Sequence, residues 1–329
     1  MPRVSEATLP GGGKAPADLG RTAEATIARG SKSFAAAARL FDPGTRQGAI
    51  MLYAWCRHCD DVVDDQELGH RTGLADATAP IDRVAMLEDR TRRAFAGEAM
   101  AEPAFQALQQ VASRHDVPLA LALEHLDGFR MDAEARRYER FEEVLDYCHH
   151  VAGVVGVMMA RVMGARDAAT LVRAADLGLA FQLTNIARDI VPDAAVGRVY
   201  LPADWLAEAG LPRDEIANPD NRERVASLAR RLVAAAEPYY ASARIGIDAL
   251  PRRSAWAVAT ALGVYREIGL RVVAAGPRAW DGRVSTSRSD KLGHVATGAV
   301  TAFGPRRRAS SRRDERLWTH ALPASSVEP

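Results

Sequence analysis

The sequence predicts an all-α protein built as one large helical domain. Three observations carry this. First, apolar residues recur at helical spacing: between 221 and 248, Val225, Leu228, Ala229, Leu232, Val233, Ala236 and Tyr240 mark one buried face. Second, alternating apolar–polar stretches of strand length, rich in β-branched residues, are scarce. Third, Pro and Gly punctuation cuts the chain into helix-sized pieces, with no long interior linker and no repeat of 20–50 residues. The chain has 329 residues, 48% of them hydrophobic, enough for one large core.

Residues 1–20 are rich in Gly and Pro and have no apolar centre, so they read as a flexible leader and not a signal peptide. The helical body spans 21–302. Breaks are expected at Asp42-Pro43, Gly69 to Pro80, Val117-Pro118, Gly164 to Asp167, Pro192 to Pro202, Leu211-Pro212 and Leu250-Pro251. Asp220 and Ser254 are candidate N-caps. Residues 303–329 read as a basic, disordered tail. Its 304–316 stretch carries six arginines and two acids, a local net of +4 that leaves −3 for the rest. Such a tail suits weak contact with an anionic membrane surface.

The overall charge of +1 excludes a chain that coats nucleic acid through bulk charge. Three cysteines, at 56, 59 and 148, make no disulfide framework and point to a reducing, cytoplasmic setting. The most apolar run, Val151 to Met163, is too short to span a bilayer and carries Arg161.

The chemistry opens with Asp60-Asp61-Val62-Val63-Asp64-Asp65, which closes a helical run from Thr45 to Asp65. Asp60 and Asp64 share a face at i, i+4, as do Asp61 and Asp65. Like charges at that spacing repel, and the helix C-terminus disfavours anions. The preceding turns, Ile50 to Trp55, are apolar or aromatic, so the helix reads as buried. Buried paired carboxylates need a cation. Arg57 and Tyr53 lie back along the same face, and an arginine beside the acids suits a bound phosphate. Hard oxygen ligands indicate Mg2+, or Mn2+, and not zinc. Cys56 and Cys59 overlap this helix but lack partners for a zinc or redox motif, and read as packed helical residues.

A second polar stripe follows. Gln182, Asn185, Asp189 and Asp193 fall on one helical face, opposite Leu179, Leu183, Ile186 and Ile190, with Arg188 beside them. One acidic helix can be an accident of a solvated surface. Two in one all-α chain suggest a diphosphate held between helices by several Mg2+ ions.

At these residues the sequence resembles the squalene and phytoene synthase family of head-to-head prenyl transferases, in its bacterial phytoene-forming branch. The matching stretches, in order, are SKSF at 31–34, YAWCRHCDDVVDD at 53–65, YCHHVAGVVG at 147–156, GLAFQLTNIARDI at 178–190, GRVYLP at 197–202, EPYY at 237–240 and VYREIG at 264–269. The resemblance implies an isoprenoid-synthase fold with helices around a central cavity. It implies metal ligation by Asp60, Asp64, Asn185 and Asp189, with Asp193 one turn on. It implies substrate contacts at Ser31, Lys32, Ser33, Phe34, Tyr53, Arg57, Tyr147, Val151, Gln182 and Arg188. Tyr200, Tyr240 and Arg266 match residues around the diphosphate or the reacting carbons. Gly30 departs from relatives that carry a histidine there.

The implied reaction joins two prenyl diphosphates through a cyclopropyl diphosphate, in a dry cavity, without NADPH. Ala152, Gly153 and Gly156 suit either room for a prenyl chain or close helix packing. Small residues at 35–38, with Ile50 on the next helix, would leave a deep tunnel, favouring two geranylgeranyl diphosphates and phytoene. The neighbouring alternative is a squalene or dehydrosqualene synthase using farnesyl diphosphate. A helical scaffold would have no use for both acidic stripes, and a metal-buffering bundle none for the Arg, Tyr and Gln neighbours. The implied partners are the substrates, a peripheral membrane surface and downstream carotenoid enzymes.

Overall fold

The computed structural model describes residues 37–64, 78–305 and 312–323, together with the backbone of 66–67 and 70–71. Ser31, Lys32, Ser33, Phe34 and the 1–20 leader lie outside the described residues.

Helix α1 (Pro43–Val63) starts where Asp42 accepts from the backbone N–H groups of Gly44 and Thr45 at 3.1 Å, with Pro43 in the first turn. It buries Leu52, Trp55 and Cys59 completely and ends with Asp64 as its C-cap. Burying side chains the size of Leu52 contributes about 1.5–3 kcal/mol each. Two antiparallel strands of two residues, β1 (Gln66–Glu67) and β2 (His70–Arg71), follow. The chain continues through α2 (Pro80–Phe95), α3 (Pro103–His115), α4 (Leu119–Ala133) and α5 (Phe141–Cys148). A π-helical turn (His149–Gly153) joins α5 to α6 (Val154–Val162). Then come α7 (Ala168–Ala195), α8 (Ala203–Glu208), α9 (Arg222–Ile247), α10 (Arg252–Ala275) and α11 (Arg288–Phe303). Among the described residues, no helix is long and apolar enough to cross a membrane.

Four details differ from the sequence expectations. The break expected from Pro192 begins only after Ala195, because Pro192 sits in the last turns of α7. There its missing N–H removes one helical hydrogen bond without ending the helix. Asp220 lies in a 3-10 turn that Asn218 caps, and Ser254 is buried inside α10. Residues 312–323, read as part of a disordered tail, pack on the body: Arg313 pairs with the buried Asp176 at 2.7 Å. A buried carboxylate requires such a partner.

Three helices frame the interior. Helix α9 runs antiparallel to α7, since Tyr240 meets Thr184 while Ser242 meets Asp176. Helix α10 runs parallel to α7: Phe181 stacks on Tyr265 with centroids 4.1 Å apart, and Gly269 lies near Thr184. Across α7, backbone touches backbone. A Cβ on Gly178 would stand 2.2 Å from the Ala152 carbonyl oxygen, and one on Gly156 would stand 2.3 Å from that of Ala174. Close packing therefore requires glycine at 156, which also lines the cavity described below.

Candidate active site

A cavity of about 380 Å³ runs between α1, the π turn, α6, α7, α9 and α10. Along α7 its lining extends from Asn185 to Thr170. Fifteen residues at a helical rise of 1.5 Å make about 22 Å. Its walls are apolar, with Val151, Val155, Met159, Phe181, Val258 and Val264 among them. Tyr53, Gln182 and Asn185 bring polar atoms to one end. Ala37 lines it, as the small-residue reading requires, but Ile50 does not; Phe41 does. Ile50 is buried outside the lining.

Outside the polar end, the acidic stripes carry arginines between them. Arg57 pairs with Asp60 at 2.8 Å and Asp61 at 2.7 Å. Arg198 grips both oxygens of Asp64, one at 3.0 Å. Arg188 pairs with both oxygens of Asp189, its Nε at 2.9 Å, and Arg283 approaches Asp189 at 3.7 Å. Asn185 donates to Gln182 at 3.4 Å. Arg198 reaches α1 because α7 ends at Ala195 and Gly197, with a φ of +83°, turns the chain back. Such a left-handed turn favours glycine.

The acids remain under-compensated. Burial pushes the Asp60 carboxyl up to about 6; Arg57 opposes this, while Asp64 and Asp61 add to it. Burial and then the neighbouring Asp189 push Asp193 up to about 7, with Arg198 and Arg188 opposing. Asp132, on α4, is pushed up to about 6 by burial, held back by hydrogen bonding from Tyr200 and by Arg198. Among the described residues, six carboxylates (Asp60, Asp61, Asp64, Asp132, Asp189 and Asp193) thus share four guanidinium groups. Hard oxygen donors with surplus negative charge fit divalent Mg2+.

Other expected residues stand further back. Tyr147 and Tyr200 stack with centroids 4.8 Å apart, and donate to the two oxygens of Asp132 at 3.0 and 2.9 Å. Burial, and then Asp132, raises both hydroxyls far above the tyrosine range, so they stay protonated donors. Tyr240 is buried and donates to Thr184 at 2.8 Å, while Thr184 donates to the Ala180 carbonyl. Arg266 is paired with Glu237 at 2.8 Å. Tyr53, in the lining, has its hydroxyl pushed up to about 12, mainly by burial.

Sequence reasoning missed Asp132, Arg198, Arg283 and Tyr265. Arg198 and Tyr265 fall within the GRVYLP and VYREIG stretches, which offered a signal. Asp132 offered none, being one acid among several on α4.

The chain is similar to proteins of known family. A model of the squalene/phytoene synthase family matches residues 27–290. The 15-cis-phytoene synthase of Pantoea ananas is 54% identical over 297 residues, covering 90% of this chain and 96% of that protein. The 15-cis-phytoene synthase of a Paracoccus species is 48% identical over 303 residues, covering 92% and 98%. Among solved structures, a dehydrosqualene synthase bound to a ligand superposes with a TM-score of 0.75 at 25% identity, covering 86% of this chain and 96% of that one. A squalene synthase from Alicyclobacillus acidocaldarius gives 0.65 at 27% identity, covering 79% and 95%. With its paired acidic helices at the mouth of an apolar cavity, this chain belongs to the squalene/phytoene synthase family.

Proposed function

We propose that this protein is a phytoene synthase, condensing two geranylgeranyl diphosphates head to head. The observation that carries the reading is the long apolar cavity with acids and arginines gathered outside its polar end. The cavity length of about 22 Å along α7 suits a 20-carbon chain, about 19 Å when extended from carbon–carbon bonds of about 1.5 Å. The relatives named 15-cis-phytoene synthase support the same product.

Asp60, Asp64, Asn185, Asp189 and Asp193 would hold Mg2+, which when bound neutralises the departing diphosphate. Arg57 and Arg188 stand where they can grip phosphate oxygens. Gln182 and Tyr53 orient the head of the chain at the polar end. The Val and Met walls keep water from a developing allylic cation. Tyr147 and Tyr200 hold Asp132 beside Arg198, and Tyr240 braces α7 against α9. Ser31, Lys32, Ser33 and Phe34 complete the substrate contacts in this reading, and Arg266 lies next to the cavity-lining Tyr265.

The product is a hydrocarbon. Exposed Leu292, Val300 and Phe303 on α11 suit peripheral membrane contact and delivery to downstream carotenoid enzymes on the cytoplasmic side.

The test is a product assay offering both diphosphates. Purified protein with Mg2+ yields phytoene from geranylgeranyl diphosphate without NADPH. Product from farnesyl diphosphate alone, or a strict need for NADPH, refutes the reading.

A further inference from the structure

On the far side of the π turn from the cavity, three chemically matched side chains converge. Glu124 on α4, His149 in the π turn and His320 in the C-terminal segment place one ligand atom each within 4.8 Å of one another. Two of these atoms are buried without a hydrogen-bond partner: Glu124 Oε2 and His149 Nε2, 3.7 Å apart. The His149 side chain keeps only 2% of its surface exposed. Buried polar atoms are ordinarily paired, so such a couple requires an explanation.

We propose that Glu124, His149 and His320 form a site for a divalent transition metal, Zn2+ by the chemistry of its donors, which fastens residues 312–323 to the back of the cavity wall. Two imidazole nitrogens and one carboxylate oxygen select Zn2+ over Mg2+, which takes oxygen ligands. The site is therefore chemically separate from the acidic helices.

His320 is delivered by an anchor of its own. Arg313 clasps Asp176 with hydrogen bonds of 2.7 and 2.9 Å, and donates to the carbonyls of Leu317 and Trp318. The His320 ring then stacks on His149 with centroids 4.3 Å apart. The π turn places His149 here: a π insertion changes helical register and recurs where a side chain must be re-aimed. Ligand bonds of about 2.0–2.2 Å set tetrahedral donors about 3.4 Å apart, so binding draws the three atoms together by about 1 Å.

The same turn supplies Val151 and Ala152 to the cavity lining, and its Gly153 lies against His149. Metal at Glu124–His149–His320 thus stiffens the back of the cavity wall.

Co2+ is the probe, titrated into chelator-treated full-length protein with millimolar Mg2+ present. One equivalent gives a tetrahedral visible band that Zn2+ abolishes. His320→Ala loses the band and weakens binding by about tenfold or more, as loss of a ligand predicts. Its side chain is 29% exposed on the terminal segment, so the fold tolerates the change. Asp60→Ala keeps the band. As a second readout, Zn2+ slows trypsin cleavage at Arg312, Arg313 and Arg316 in the wild type but not in His320→Ala. The proposal is overturned if the wild type shows no band, if His320→Ala keeps it, or if Asp60→Ala removes it.

Discussion

The replacement Val258→Phe tests whether the prenyl chain lies along α7 and α10. Val258 lines the cavity seven residues before Tyr265, which stacks on Phe181. At 1.5 Å per residue it stands about 10 Å deeper than that aromatic pair. Phe181 is itself four residues, about 6 Å, inward of Asn185. The open path from Asn185 to Val258 is therefore about 16 Å. A 15-carbon chain needs about 14 Å and a 20-carbon chain about 19 Å, from bonds of about 1.5 Å. A phenyl ring at 258 leaves room for the shorter chain and displaces the last isoprene unit of the longer one. Five carbons denied burial, at about 0.8 kcal/mol each, amount to about 4 kcal/mol. That is a factor of about 10³ in kcat/KM for geranylgeranyl diphosphate. Steady-state assays with each diphosphate and product analysis by mass measure it, with turnover of farnesyl diphosphate falling less than about tenfold. Equal losses for both substrates, or an unchanged 20-carbon reaction, would show that the chain takes another path.

Three further outcomes follow from the site and its supports. Asp60→Ala and Asp189→Ala each abolish turnover while the helical circular dichroism spectrum survives; full activity in either removes that residue from the metal site. Asp132→Ala leaves the buried Tyr147 and Tyr200 hydroxyls without their acceptor, costing about 1–3 kcal/mol in urea unfolding; an unchanged midpoint contradicts the hydrogen-bond geometry. Asp60 and Asp193 bind protons more tightly folded than unfolded, so their contribution to stability falls as pH rises from about 4 to about 7. Mg2+ therefore raises the Tm of chelated protein more at pH 7.5 than at pH 5, and an equal increment at both values speaks against these carboxyls as its ligands.

The acidic helices were legible because helical spacing alone puts Asp60 with Asp64, and Asn185 with Asp189, on shared faces. The position of the first acidic cluster, at a helix end that repels anions, signalled the need for a cation. The long apolar helices were legible for the same reason of period. What stayed hidden depends on chain reversal and long-range docking. Arg198 reaches Asp64 only through the turn at Gly197, 134 residues away in sequence. Arg313 looked like one more solvated tail arginine, because nothing local tells it from Arg312. Its partner Asp176 lies 137 residues earlier. The π turn was likewise invisible, since no residue type in His149–Gly153 marks a one-residue insertion into a helix.

The backbone contact at Gly156 and Gly178 bears on how such an enzyme changes over generations. A wall made of side chains can be rebuilt one substitution at a time, each step trading volume with a neighbour. Where a new Cβ would meet a carbonyl oxygen at 2.2 or 2.3 Å, no neighbour can yield, and every first step is penalised. Drift in product length therefore has an easier course through α10 and the segment before α1, whose Val258, Val264 and Phe41 line the cavity. The descendants of such a fold keep one side as inherited and rewrite the others.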